Sequence, residues 1–204
     1  MPRSGPNPLG GIIAALALAV VIASVIAEYV PAGSPKGIPQ WEKDLSALPG
    51  VVDYTTGDTD WLTSDHRTGS VSYPVAPTVG GDHNIAWQNC TGDVYAAPIA
   101  EEHAAHSLEH GAVWITYRPD LPAKHIEQLT RHVRGANYTM MSPYPAQVAP
   151  ISLQAWGFQL PVESPEDDRI TTFLALARVN AGPEPGAACS GGITTTGAIP
   201  VTKP

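Results

Sequence analysis

Residues 98–117 read PIAEEHAAHSLEHGAVWITY and predict a helix that passes directly into a strand. Pro98 suits the first turn of a helix, the acids that follow suit the positive end of its dipole, and Gly111 suits its end. From Ala112 to Tyr117 the side chains alternate between two sides, as they do in a strand. This junction indicates a fold that mixes helices with a sheet.

The C-terminal half of the chain continues the alternation. An apolar stripe at helical spacing predicts a helix over 123–134, and a serine, proline and acids at 164–167 predict the start of another. Strands are predicted over 70–75, 138–142 and 151–162. The sequence therefore predicts an α+β fold with a small, largely antiparallel sheet and helices packed on one side.

A long apolar segment precedes this domain. Residues 9–27 carry no charge and are long enough to cross a bilayer as a helix. We expect a transmembrane signal-anchor over 9–30, with residues 1–8 in the cytoplasm because Arg3 lies on that side. The alternative is a cleavable signal peptide ending near Ala27. In either case the rest of the chain is exported, and the anchored form is a single-pass protein of the cell membrane.

Composition defines the remaining segments and excludes one class of partner. Residues 31–40 are a predicted proline- and glycine-rich linker, and residues 41–180 are the predicted extracytoplasmic domain. Residues 181–204 hold few large apolar side chains, so we expect a flexible tail tethered through Cys189. The 204-residue chain has a formal net charge of −8, which argues against nucleic-acid binding because that function normally needs a basic surface.

Both cysteines lie in the exported part. Cys90 and Cys189 form a predicted disulfide, because an even cysteine count in an oxidising compartment favours one. The alternative is that one or both thiolates bind a metal beside the histidines.

Histidines form the strongest candidate site. His103, His106 and His110 lie at i, i+3 and i+7 of the predicted helix, so their imidazoles leave one face. Together with His83, which follows a Gly-Gly-Asp loop, they predict a site for copper or zinc. Met140 and its neighbour Met141 would add a thioether donor that favours copper(I), although such a pair also fills cores.

Two other interpretations of these histidines stay open. The helical histidines can form a structural network with backbone carbonyls and nearby acids, and we interpret His66, His125 and His132 as solvated or core residues. The residues His106-Ser-Leu-Glu109-His110 also fit the inverted zinc-protease pattern H-x-x-E-H, in which Glu109 is the general base. In that alternative the protein is a metal-dependent hydrolase.

Five separated motifs, spread over about residues 70–192, resemble one known family, called domain of unknown function 3105. They are Trp87-Gln-Asn-Cys90, His106 to Tyr117, Ser142-Pro-Tyr-Pro145, Ala155-Trp-Gly157 and Cys189-Ser-Gly-Gly192. The resemblance implies a bacterial, often actinobacterial, membrane-anchored or exported protein without an assigned activity. The family pattern matches His83, His106, Glu109 and His110 but does not include His103 or the methionines.

The function expected from the sequence is that of a membrane-anchored extracytoplasmic module. It binds copper or zinc through His106, His110, His83 and His103, for handling or sensing the metal, and an enzyme is the less favoured class. The first alternative is a structural or assembly partner of another envelope protein, with the histidines as a structural network. The hydrolase is the second alternative.

Overall fold

The computed structural model describes residues 37–201. Four helices and six strands follow in chain order: α1 (Gln40–Ala47), β1 (Val52–Asp53), β2 (Thr91–Val94), α2 (Glu101–Glu109), β3 (Val113–Tyr117), α3 (Ala123–Val133), β4 (Thr139–Pro143), β5 (Ile151–Ala155), β6 (Phe158–Val162) and α4 (Arg169–Ala177). The predicted helix-to-strand junction is therefore α2 followed by β3. Gly111 lies between them with a φ of 91°, which ends the helix at the expected place.

The strands form one mixed sheet in the order β1-β6-β5-β3-β4-β2. β4 is parallel to both β3 and β2, whereas the other three pairs are antiparallel. The α+β class is confirmed, but the prediction of a largely antiparallel sheet is wrong. The reason is that α3 connects β3 to β4 as a crossover, and a crossover between neighbouring strands makes them parallel.

Helices cover both faces of the sheet. On one face, α1, α3 and α4 share one apolar cluster with the sheet, in which Leu129 and Phe173 join Ile115 of β3. On the other face, Leu108 of α2 joins Trp114 in a second cluster. The prediction of helices on one side is therefore wrong for α2. All five residues of β3 are buried, because apolar clusters lie on both faces of the sheet at this strand.

The segment between β1 and β2 is irregular and packs along α2. The backbone N–H groups of Asn84 and Gln88 donate to the carbonyls of Glu102 and His103, at 3.2 and 3.0 Å. The strand predicted over 70–75 is absent from this described segment. The N–H of Val71 instead donates to the Glu102 carboxylate at 2.8 Å, so it is not available to a neighbouring strand.

The C-terminal segment 181–201 is attached at several points. Cys189 forms a disulfide with Cys90, which confirms the predicted bond and removes the thiolate alternative. The N–H of Ile193 donates to the Trp87 carbonyl at 2.9 Å. The N–H of Val201 donates to Nε2 of a histidine in α2 at 2.9 Å. This segment therefore lies along the same side of the molecule as α2.

The predicted membrane-spanning segment, residues 9–30, lies outside the described residues. Within residues 37–201, no helix combines the length and apolar character needed to cross a membrane.

Candidate metal centre

The helix α2 brings its histidines against the irregular segment before β2. The Nδ1 of His103 lies 2.6 Å from the Ala86 carbonyl, and the Nδ1 of His106 lies 2.8 Å from the Asn84 carbonyl. Next to His106 along the helix, the hydroxyl of Ser107 donates to the Gln88 carbonyl at 2.6 Å. The predicted histidine face is therefore the face that α2 turns to this segment.

Three imidazoles have their orientation fixed in the same way. The Nδ1 atoms of His83, His106 and His110 each lie 2.8 Å from a backbone carbonyl oxygen. A carbonyl oxygen can only accept, so Nδ1 is the donor in each of these bonds. In a neutral imidazole this leaves the lone pair on Nε2, which is the arrangement usual for histidines that bind a metal.

Two of these Nε2 atoms, those of His83 and His106, lie near one carboxylate. Oε2 of Glu109 lies 3.0 Å from Nε2 of His83 and 3.8 Å from Nε2 of His106. His66 completes a group of four residues whose donor atoms all lie within 4.8 Å of one another. A tetrahedral zinc ion with bonds of ~2.0–2.1 Å separates its ligand atoms by about 3.3 Å. The two contacts of Glu109 bracket that separation.

The contact between His83 and Glu109 lacks a donor. Both side chains are almost completely buried, and Nε2 of His83 has no hydrogen-bond partner among the described residues. The 3.0 Å contact therefore lacks hydrogen-bond alignment and places a nitrogen lone pair beside a carboxylate oxygen. Two buried acceptors at this separation repel each other unless a proton or a metal ion lies between them.

Burial and neighbouring charge set the ionisation of the group. Burial, together with the His83 and His110 imidazoles, lowers the pKa of His106 to about 4 against the opposing effects of its backbone hydrogen bond and of Glu109. Burial raises the pKa of Glu109, but the short contact with His83 and the proximity of the His83, His106 and His110 imidazoles outweigh it, so the net shift is downward. A neutral imidazole and an ionised carboxylate are the forms that bind metals.

His66 is the residue that the sequence did not predict for this group. It is exposed, and its ring centroid lies 5.1 Å from that of His83 and 5.0 Å from that of His106. An isolated backbone bridge pairs it with His83. The two residues are far apart in the chain and share no periodic pattern, so the sequence contains no local signal for their meeting.

His110 lies beside this group and belongs to a second one. Its ring centroid is 4.6 Å from that of His106, but its donor atom groups with those of Glu109 and Glu184. Glu109 is therefore common to both groups. This differs from the H-x-x-E-H arrangement of the hydrolase alternative, in which both histidines bind one metal and the glutamate stays free to act as a base.

His103 is not among the convergent donors. Its Nδ1 lies 2.6 Å from the Ala86 carbonyl, and its Nε2 accepts the N–H of Val201 at 2.9 Å. Both ring nitrogens are therefore occupied, and the prediction of His103 as a metal ligand needs correction. Helical spacing correctly predicted the face of α2 on which His103 lies. The N–H of Val201, however, is bonded to the Nε2 that a metal would need.

The sulfur atoms of residues 37–201 are engaged elsewhere. Both cysteines form the disulfide. Met140 and Met141 are fully buried on opposite faces of the sheet, each in a different apolar cluster. Both methionines therefore act as core residues, and the donors of the four-residue group are three imidazoles and one carboxylate.

Two indole rings lie next to the histidines. Trp87 lies 5.8 Å from His106 and 5.4 Å from His110 between ring centroids, and Trp156 lies 6.1 Å from His83. Apolar rings in these positions reduce the access of water, which strengthens electrostatic interactions inside the site. The arrangement can therefore hold a cation through nitrogen and oxygen donors that are already oriented.

Comparison with known proteins gives one match. The model of a family described as "Protein of unknown function (DUF3105)" matches residues 65–191, more than half of the chain. No curated protein and no solved structure matches the chain. The matched range contains both groups of donor residues.

Proposed function

The chain belongs to the DUF3105 family, whose description assigns no activity, and we propose that it is a transition-metal-binding module. The metal is copper(II) or zinc, and the ligands are His66, His83, His106 and Glu109. The observation that carries the proposal is the buried contact of 3.0 Å between Nε2 of His83 and Oε2 of Glu109, for which the protein supplies no aligned donor.

A metal ion accounts for this contact better than a proton does. A proton on His83 would relieve one pair of atoms. The same carboxylate oxygen, however, also lies 3.8 Å from Nε2 of His106, and the donor atom of His66 is within 4.8 Å of the others. A single cation can accept electron pairs from all four side chains at once.

The donor set favours a divalent metal of borderline character. Imidazole nitrogen suits zinc and copper, whereas copper(I) prefers thiolate and thioether sulfur. Among the described residues, the sulfur atoms lie in the disulfide and in the two apolar clusters. Three imidazoles with one carboxylate therefore support zinc or copper(II) over copper(I).

The proposal includes a location at the cell surface. A single helix at residues 9–30 anchors the chain in a bacterial, actinobacterial-type membrane, with the N-terminus in the cytoplasm and the metal-binding domain outside. The disulfide supports an oxidising, extracytoplasmic setting. An envelope protein that delivers or receives the metal is the partner class that fits this location.

Metal analysis of the purified full-length chain, without an oligohistidine tag, tests the proposal. After removal of metal with a chelator and incubation with zinc, we expect at least about one tightly bound equivalent. His83→Ala combined with His106→Ala should reduce it strongly, whereas His125→Ala on α3 serves as the matched control and should retain it. Less than about a tenth of an equivalent in the unaltered protein would refute metal binding.

A structural role for the histidines is the second candidate function. The observation that favours it is that His83, His106 and His110 each bond to a backbone carbonyl, in two segments that flank α2. In this alternative the network holds the domain in shape for an envelope partner. It predicts the same loss of stability on removing a histidine whether or not metal is present.

A further inference from the structure

Glu109 belongs to two groups of donor atoms that lie side by side. One consists of His66, His83, His106 and Glu109, and the other of Glu109, His110 and Glu184. We propose that the protein binds two divalent transition-metal ions, with Glu109 bridging them and with His110 and Glu184 as further ligands of the second ion. This inference rests on the proposed function, since it adds a second ion to the same centre.

The spacing of the side chains suits two neighbouring ions. The ring centroids of His106 and His110 are 4.6 Å apart and the rings are nearly perpendicular, at 80°. Metal pairs that share a bridging ligand lie ~3.5–4 Å apart. A carboxylate has two oxygens and can direct one to each ion. Glu109 therefore shares one donor group with His106 and the other with His110, and these two imidazoles are adjacent.

The second position is assembled by the C-terminal segment. The N–H of Glu184 donates to the Glu109 carbonyl at 3.1 Å, and the N–H of Gly186 donates to the His110 carbonyl at 3.0 Å. The Ala188 carbonyl accepts from Nδ1 of His110 at 2.8 Å. The same short segment therefore supplies a ligand and also orients the histidine beside it, as the outer partners of metal-binding histidines do.

The two positions differ in their number of protein donors. Each group has one exposed member, His66 in the first and Glu184 in the second, and its other members are buried. The second ion has three protein donors, and zinc takes four ligands. Its remaining coordination position is therefore available to water or to an incoming donor. The second ion is the more exchangeable of the two.

Zinc stoichiometry of the full-length, untagged chain tests the inference. We expect about two equivalents in the unaltered protein and about one in Glu184→Gln. Glu163→Gln is the matched control, because it removes an exposed carboxylate remote from the histidines, and it should retain about two.

The outcomes separate this inference from the proposed function. One equivalent in both the unaltered protein and Glu184→Gln would overturn the second ion and leave the single-metal module intact. Two equivalents that persist in Glu184→Gln would place the second ion elsewhere and also overturn the inference. If no zinc binds to the unaltered protein, the proposed function itself fails.

Copper(II) provides a second readout of the shared carboxylate. At one equivalent the protein should give the electron paramagnetic resonance signal of an isolated copper(II) ion. At two equivalents the integrated signal should fall below the copper content, because a bridging carboxylate couples the two spins. Two full, independent copper signals would overturn the bridge through Glu109.

Discussion

Replacing His83 and His106 with asparagine should separate metal binding from folding. The asparagine amide nitrogen occupies nearly the position of Nδ1, so each substitution keeps the donor that His83 and His106 direct to the carbonyls of Gly81 and Asn84. It removes Nε2, the atom that faces Glu109. We therefore expect the double variant to fold in chelator and to lose its response to zinc.

The expected magnitudes follow from burial and mass action. At a free zinc concentration of 100 times the dissociation constant, binding stabilises the folded protein by about 2.7 kcal/mol. For a domain of this size that raises the melting temperature by about 5–11 °C. In chelator, the ring atoms lost at the two positions leave small cavities, which together should lower the free energy of unfolding by about 1–2 kcal/mol.

Thermal melting of the unaltered and variant proteins, each in chelator and in buffered zinc, measures both effects. His103→Asn is the control, since it should lower stability equally in both buffers while the zinc response remains. If the double variant is destabilised by the same amount in chelator and in zinc, and the unaltered protein shows no zinc response, the histidines are a structural network instead.

Three further perturbations test other contacts. In chelator, His103 should contribute up to ~1.4 kcal/mol per pH unit to the fall in the free energy of unfolding as the pH drops from about 6.5 to 5.5, because burial lowers its pKa and only the unfolded chain takes up that proton. Urea unfolding of His103→Gln should show a weaker pH dependence than the unaltered protein, and an unchanged dependence would contradict this cause. Replacing Cys90 and Cys189 together with serine should cost up to ~4.7 kcal/mol, because the bond closes a loop with a sequence separation of 99 residues, and a loss below ~1 kcal/mol in urea unfolding would contradict it. Gly182→Ala should lower the free energy of unfolding by ~1–3 kcal/mol, since Gly182 has a φ of 145° and an added Cβ would meet the Glu109 carbonyl. Gly191→Ala is its control in thermal melting, because Gly191 also has a positive φ but has open space around it. An equal loss of stability in the two variants would argue against the close contact at Gly182.

Local patterns in the sequence were sufficient to predict α2, which carries part of the site, and β3, which follows it. The start and end signals around residues 98–111 predicted α2. The helix begins at Glu101, three residues after the predicted start at Pro98. The alternation from Ala112 to Tyr117 predicted β3. Both predictions succeeded because capping, the helix dipole and side-chain periodicity act within a few residues.

The topology of the sheet depends on pairing between distant residues. β4 lies between β3 and β2 and is parallel to both. The predicted strand–helix–strand order over residues 112–142 is itself typical of a parallel pair, whereas no local pattern places β2 beside β4. The same limit applies to β2, a four-residue strand of which no residue is fully buried. Its Thr-Gly-Asp-Val sequence lacks the alternation that would reveal a strand.

The candidate site was also predicted in part from local patterns, while the rest depends on contacts between distant residues. Helical spacing identified His106 and His110, and the preceding Gly-Gly-Asp loop identified His83. A backbone bridge places His66 beside His83, and a backbone hydrogen bond to Glu109 places Glu184 beside the end of α2. No rule based on sequence spacing predicts either contact. His103 shows that spacing gives the direction of a side chain but not the group that it meets.

A crystal structure of the zinc-loaded protein, with anomalous differences measured on both sides of the zinc absorption edge, tests metal binding most directly. We predict a zinc peak ~2.0–2.1 Å from Nε2 of His83, Nε2 of His106 and a carboxylate oxygen of Glu109. At saturating zinc, a histidine and carboxylate joined by a direct hydrogen bond, with no anomalous peak between them, would contradict it.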